Sequence, residues 1–258
     1  MQGLSAAKIL EAWERGQGRA PVERALALLT AGLPGASPRD LARLSLGQRD
    51  LLLLRLRELT LGSKLKGYTD CPSCGVTIDF GVMVDDIWFP APDSPEAAGG
   101  AGAAGAGAGR TLLVARDGYE VEFRLIDSMD MAAAARCADV DKARALLLER
   151  AVRGAWHEGR EVAIADLPDA VVAAVGERME AGDPQAETPL VLVCGRCDHR
   201  WQLLLDVASF LWNEVSSLAE RLLFDVQALA RAYGWSEAEI LGMSALRREF
   251  YLEHATKR

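Results

Sequence analysis

Two short stretches hold residue types whose spacing could do chemistry together. Cys71-Pro72-Ser73-Cys74 and Cys194-Gly195-Arg196-Cys197 each set two thiols two residues apart. That spacing lets both sulfurs of a pair reach one ion from a tight turn, and glycine near the second cysteine accommodates backbone amides aimed at sulfur. Each pair is followed by an alternating run in the same phase, Val76, Ile78 and Phe80 in one case and His199, Trp201 and Leu203 in the other. Two knuckles on two facing hairpins would supply four thiolates, the ligand set of a structural zinc ribbon with no open coordination position. The plainer alternative is two hairpin turns with free thiols, and His199 could stand in for one cysteine. Cys137, in an alanine-rich helical stretch, reads as a buried small apolar residue.

No other chemistry-bearing pattern stands out. His157, in the stretch WHEGRE, His199 and His254 have no catalytic spacing, and carboxylates such as Glu220 and Asp225 fall on the expected wet side of a helix. The run GGAGAAGAGAG lacks the lysine-serine ending of a phosphate loop and has no strand directly before it. A non-enzyme without a small-molecule substrate is expected.

The elements that must position the cysteines can be read from periodicity. Up to about Gly62 the chain reads as three or four helices, with Ser37-Pro38-Arg39-Asp40 as a helix start. A longer helix over 46–61 follows, with Arg55, Arg57 and Glu58 on its wet face. Period-two alternation takes over at 65–84, so the first knuckle sits at a hairpin turn. Residues 90–109, rich in Pro, Gly and Ala, read as a flexible linker. Asp117-Gly118 then marks a type I′ hairpin that pairs Val114 with Val121 and Leu112 with Phe123. One helix is expected over 128–154, and another after Asp166-Leu167-Pro168-Asp169, with Asp166 as cap and Asp183-Pro184 as its end. Period two returns at 189–207. The remainder is helical, with a stripe of Leu211, Val215, Leu218, Leu222, Val226, Leu229 and Tyr233, a stop at Gly234 and a capping box at Ser236 and Glu239.

The expected fold is therefore α+β and mostly helical, with N- and C-terminal helices around a split zinc-ribbon β module that carries an inserted β-hairpin plus helices. Its segments are an N-terminal helical region (1–64), the first ribbon half (65–89), the linker (90–109), the inserted hairpin and helices (110–188), the second ribbon half (189–207) and the C-terminal helices (208–258).

The 258-residue chain is long enough for a core that needs no metal for want of size. Its net charge of −8 opposes nucleic acid as the principal partner, although Arg55, Arg57, Lys64 and Lys66 near one knuckle and Arg196, Arg200 and Trp201 near the other could form a local basic patch. The first thirty residues have no uninterrupted apolar core of a signal peptide, and no apolar run reaches bilayer length. A cytoplasmic protein with no membrane partner is expected, whose cysteines serve a metal or stay free.

In order, LSLGQRDLLLLRLRELTLG, CPSCG, GYEVEFRL, ARALLLERAV, ADLPDAVVAAVGERM, the second knuckle, FLWNEV and AYGWSEAEILGMSALRREFYLE resemble the T-even-phage-type baseplate hub assembly chaperone family. Bacterial relatives of that family occur in loci for phage tails and contractile injection systems. The resemblance implies a non-catalytic protein that helps assemble the baseplate hub or spike of a contractile tail; a structural subunit retained in the particle and a zinc-ribbon nucleic-acid binder are the alternatives. The matching metal positions are Cys71, Cys74, Cys194 and Cys197. The linker is expanded, and the second knuckle lacks the proline that follows Cys71. Aromatics of the C-terminal helices, Phe210, Trp212, Phe224, Trp235, Phe250 and Tyr251, are candidates for the partner surface.

Overall fold

The computed structural model describes residues 1–89 and 111–255. The expected linker, 90–109, lies outside them. Four helices come first: α1 (Ala6–Gly16), α2 (Pro21–Gly32), α3 (Pro38–Ala42) and α4 (Leu46–Leu61). Local chemistry sets their starts. The hydroxyls of Ser5, Ser37 and Ser45 accept from backbone N–H groups of the first turns of α1, α3 and α4, and Gln48 returns a side-chain bond to the Ser45 amide. Pro21 and Pro38 occupy first-turn positions where no N–H is needed.

Strands β1 (Lys64–Asp70) and β2 (Thr77–Met83) form an antiparallel pair, with Tyr68 opposite Asp79. After the undescribed segment, β3 (Thr111–Arg116) and β4 (Tyr119–Arg124) make the expected hairpin. Val114 faces Val121 and Leu112 faces Phe123, while Asp117 and Gly118 take φ of 51° and 78°. Both turn residues are left-handed, as a type I′ turn requires.

The single helix expected over 128–154 is instead α5 (Ser128–Ala134), α6 (Val140–Ala151) and a strand, β5 (Val152–His157). Asp139 accepts from the Lys142 amide and restarts the chain as α6. β5 pairs with β4 and, through a two-residue β6 (Arg160–Glu161), completes a four-stranded sheet in the order β3-β4-β5-β6. His157 is thus a strand-end residue stacked on Tyr119 at 4.1 Å, not a loop residue. Helix α7 (Asp169–Gly182) starts with Pro168 at the cap position and no side-chain cap, so Asp166 does not play the expected role; Asp183 ends the helix as expected.

The antiparallel pair β7 (Pro189–Val193) and β8 (Arg200–Leu204) brackets the second knuckle. The C-terminal helices are α8 (Val207–Tyr233), which closes on Gly234 at φ 71°, α9 (Glu237–Leu241), begun by the Ser236–Glu239 box, and α10 (Ala245–Ala255).

Two hydrophobic cores result. The larger is filled by α1, α2, α4 and α8, including Leu28, Leu53, Leu56, Leu211 and Leu222, and the two knuckle hairpins dock on it through Leu65, Leu190, Leu192, Ile78, Phe80, Trp201 and Leu203. The smaller lies between one face of the four-stranded sheet and α7, with Phe123, Val121, Val171 and Val175 at its centre. The insertion is tied to the start of α4: the Leu46 amide donates to the Ile126 carbonyl, and Asp183 accepts from the Ser45 hydroxyl at 2.8 Å and the Gly47 amide at 2.9 Å. A Cβ on Gly47 would stand 2.2 Å from the Asp183 carboxylate, so this close approach needs glycine.

Candidate metal centre

Each knuckle is held by the same backbone bonds. In the first, the Cys71 amide donates to the Val76 carbonyl and the Gly75 amide to the Cys71 carbonyl; in the second, Cys194 donates to His199 and Asp198 to Cys194, all four at 2.9 Å. The residue after the second cysteine is left-handed in both, Gly75 at φ 69° and Asp198 at φ 56°. Asp is among the few residues that tolerate this region.

The hairpins face each other and bring all four Sγ atoms within 4.8 Å. Cys71 lies 3.8 Å from Cys197, and Cys74 lies 3.7 Å from Cys194. A tetrahedron with zinc–sulfur bonds of about 2.3 Å has sulfur–sulfur edges of about 3.8 Å, so the cluster is the right size for one such ion. Cys71 and Cys194, the first members of each pair, are buried, while Cys74 is half-buried and Cys197 exposed. The centre is therefore wet on one side and roofed by the hairpins on the other.

The sulfur electrostatics also suit a metal. Amides of Arg196 and, beyond the opposing effect of burial, Cys197 point at the Cys194 sulfur and draw that thiol down to about 7. At Cys74 the Val76 amide favours the thiolate, but burial and the three neighbouring thiols outweigh it and push the group up to about 11. Four thiols this close cannot all ionise without a compensating cation, which a divalent metal supplies.

His199 is not part of the cluster; its ring stacks on Trp201 at 5.9 Å. Cys137 is half-buried beyond the end of α5 and outside both cores, a correction to its expected burial. Arg57, expected on a wet helix face, is buried. It bonds Glu214 of α8 at 2.8 and 3.0 Å, the Lys64 carbonyl at 2.8 Å and the Gly62 carbonyl, tying α4, the first hairpin and α8 together. Nothing in the spacing of LLLLRLRELT marks this arginine as different from Arg55, because its partner is 157 positions away.

The aromatic candidates separate. Phe224 and Phe250 are 70% and 57% exposed, whereas Phe210, Trp235 and Tyr251 are half-buried. Trp212 is buried, which corrects its place on the exposed list: its ring lies on Gly16, where a Cβ would stand 2.3 Å away, and Arg24 sits over it at 5.1 Å. Asp225, expected to be solvated, is pushed upward chiefly by burial and faces the buried Arg248 at 3.9 Å.

A mostly helical α+β chain stapled by a split four-cysteine ribbon is the class that fold and site define. Residues 34–212 match the family model described as T4 bacteriophage base plate protein, a span that begins just before α3, ends within α8 and contains both knuckles and the whole insertion. The chain belongs to that family. No curated protein matches, and no solved structure matches. Among the described residues no helix is long and apolar enough to cross a membrane.

Proposed function

We propose that this protein is a non-catalytic assembly factor for the baseplate of a contractile phage tail or tail-like injection system, acting in the cytoplasm on the hub or spike, and that Cys71, Cys74, Cys194 and Cys197 hold one structural zinc. The family match across both knuckles and the insertion carries the reading. Several features support the finer parts. Four thiolates leave a metal no open position for substrate, so the centre staples two distant segments rather than activating water. The exposed Phe224 and Phe250 lie beyond the matched span and offer apolar anchors for a partner.

The test is affinity capture of the tagged chain from cells that express its whole neighbouring locus, with the same chain assayed in purified finished particles. The expected result is co-purification of identified hub or spike proteins and absence from the particle. Stoichiometric presence in the particle would make it a retained structural subunit. Nucleic acid in place of tail proteins would overturn the reading.

A further inference from the structure

Among the described residues, the sheet of the insertion is covered on one face and bare on the other. Residues 112, 114, 121 and 123 point into the small core. The alternate positions form two rows on the opposite face, Leu113–Glu122–Gly154 and Glu120–Trp156–Glu161, as the strand register sets them. Leu113 is 54% exposed, and Glu120, Glu122 and Glu161 are all exposed. Trp156 belongs to neither hydrophobic core.

Trp156 is laid down by the sequence. A Cβ on Gly154 would stand 2.3 Å from its ring, so the tryptophan occupies the space that any other side chain at 154 would fill. The ring is thus pressed along its own strand rather than standing in solvent. Glu120 and Glu161 are its direct cross-strand neighbours on either side, at the separation of about 5 Å typical of paired side chains, and Glu122 is diagonal to it.

Three carboxylates share this face, and among the described residues none of them has an ion-pair partner. Arg124, on the same face, is held by Asp130 at 2.6 and 2.9 Å, and the exposed Arg153 beside the bulge forms no pair with them. Like charges on neighbouring strand positions are unfavourable unless a counter-charge joins them, and a tryptophan face is the best aromatic seat for a cation.

We propose that this open face docks a basic segment of the protein's assembly partner, with a lysine or arginine side chain resting on Trp156 between Glu120 and Glu161 and its apolar stem against Leu113. The identity of the partner as a tail protein rests on the assembly reading above; the chemistry of the segment does not. Glu122 adds a second acidic contact, so the face selects a segment with more than one cation.

The test uses the full chain and an acetylated, amidated peptide of alternating lysine and threonine as probe, followed by calorimetry at low and high salt. Saturable binding that weakens with salt is expected, about tenfold weaker in E120K/E122K and in W156A. The variant E14K/E177K changes net charge equally on other surfaces and should bind within about twofold of the parent. Circular dichroism of each variant checks the fold. Equal weakening by both double variants, or no saturable binding at low salt, would overturn the site. Capture from cells expressing the tail locus separates the two claims. Hub or spike proteins retained by the parent chain and lost from E120K/E122K support the surface as the docking site. Equal retention overturns the surface and leaves the assembly reading standing. Peptide binding without any tail protein on the parent chain overturns the assembly reading and the identity of the partner with it.

Discussion

The two cores of this molecule are built on different terms. The larger core is built from helices and the two knuckle hairpins, and its β strands are two separate two-stranded sheets too small to be stable alone. The smaller core has a four-stranded sheet covered on one face by α7, Leu148 and the segment before α7, and among the described residues its other face is bare. A ribbon that depends on its surroundings needs a staple, and four clustered cysteines can provide one. A sheet that stands by itself can spend its second face on contact. The four clustered cysteines thus sit where the fold most needs support, and the proposed partner surface lies on a sheet already covered on its other face.

Several changes would break or sharpen that contrast. The largest effect is expected at the staple. Replacing Cys194 with Ser, or removing metal with a chelator, should release the bound ion and cost about 5 kcal/mol or more, since metal binding and folding are one equilibrium in such sites. Metal analysis alongside denaturant unfolding checks this. The loss should fall on the hairpins and α8 more than on the four-stranded sheet, which hydrogen exchange resolves.

Next in size is the buried charge cluster inside the insertion. Asp130 is fully buried and accepts from Arg124 at 2.6 and 2.9 Å, Arg150 at 2.7 Å and the Asp127 amide at 3.0 Å. Asp130→Asn leaves two arginines short of their counter-charge and should cost about 3–5 kcal/mol, read from equilibrium unfolding.

A smaller effect, opposite in sign at the two sites, separates Asp130 from Asp50 by pH. Burial acts against the Asp130 carboxylate, but the bonds from Arg124, Asp127 and Arg150 overcome it and hold the group down at about 2, against an ordinary value of 3.8. Its stabilisation is therefore complete above pH 3.8 and disappears as pH falls through about 2. Asp50, on α4, is pushed up to about 6 by burial, which outweighs its bond from Arg49. The folded chain takes up a proton there, so this contribution to stability declines as pH rises from 3.8 to about 6. Burial moves Asp183 in the same direction as Asp50. The downward slope of unfolding free energy against pH between those values should become shallower in Asp50→Asn, Asp183 supplying the remainder, and be kept in Asp130→Asn.

The smallest expected change is at the cap. Asp183→Ala removes the acceptor for the Ser45 hydroxyl and Gly47 amide and should cost about 1–2 kcal/mol by thermal melting. An effect as large as that of Asp130→Asn would mean that the tie of the insertion to α4 matters as much as the charge cluster within the insertion.

Features set by neighbours in sequence were legible before the structure. The helix over 46–61, the Asp117-Gly118 hairpin and its register, the Gly234 stop and the equivalence of the two knuckles all follow from local turn, cap and period chemistry. What escaped depended on partners far along the chain. ARALLLERAV continues a helical pattern toward 154, yet residues 152–154 open β5 because an edge of β4 is free to pair with them. Arg57 is buried by Glu214, and Trp212 is taken into the core by Gly16, a contact that no local pattern announces. The four-cysteine cluster was legible because chemistry, unlike packing, leaves a repeated signature at both ends of a long separation.

The most direct measurement is X-ray absorption at the zinc edge together with metal stoichiometry on the purified full chain. One zinc per chain with four sulfur neighbours at about 2.3 Å is the expected result, lost alike in Cys71→Ser and Cys194→Ser. No zinc, nitrogen in the coordination sphere, or metal kept when either knuckle is broken would contradict a single closed site shared by the two halves.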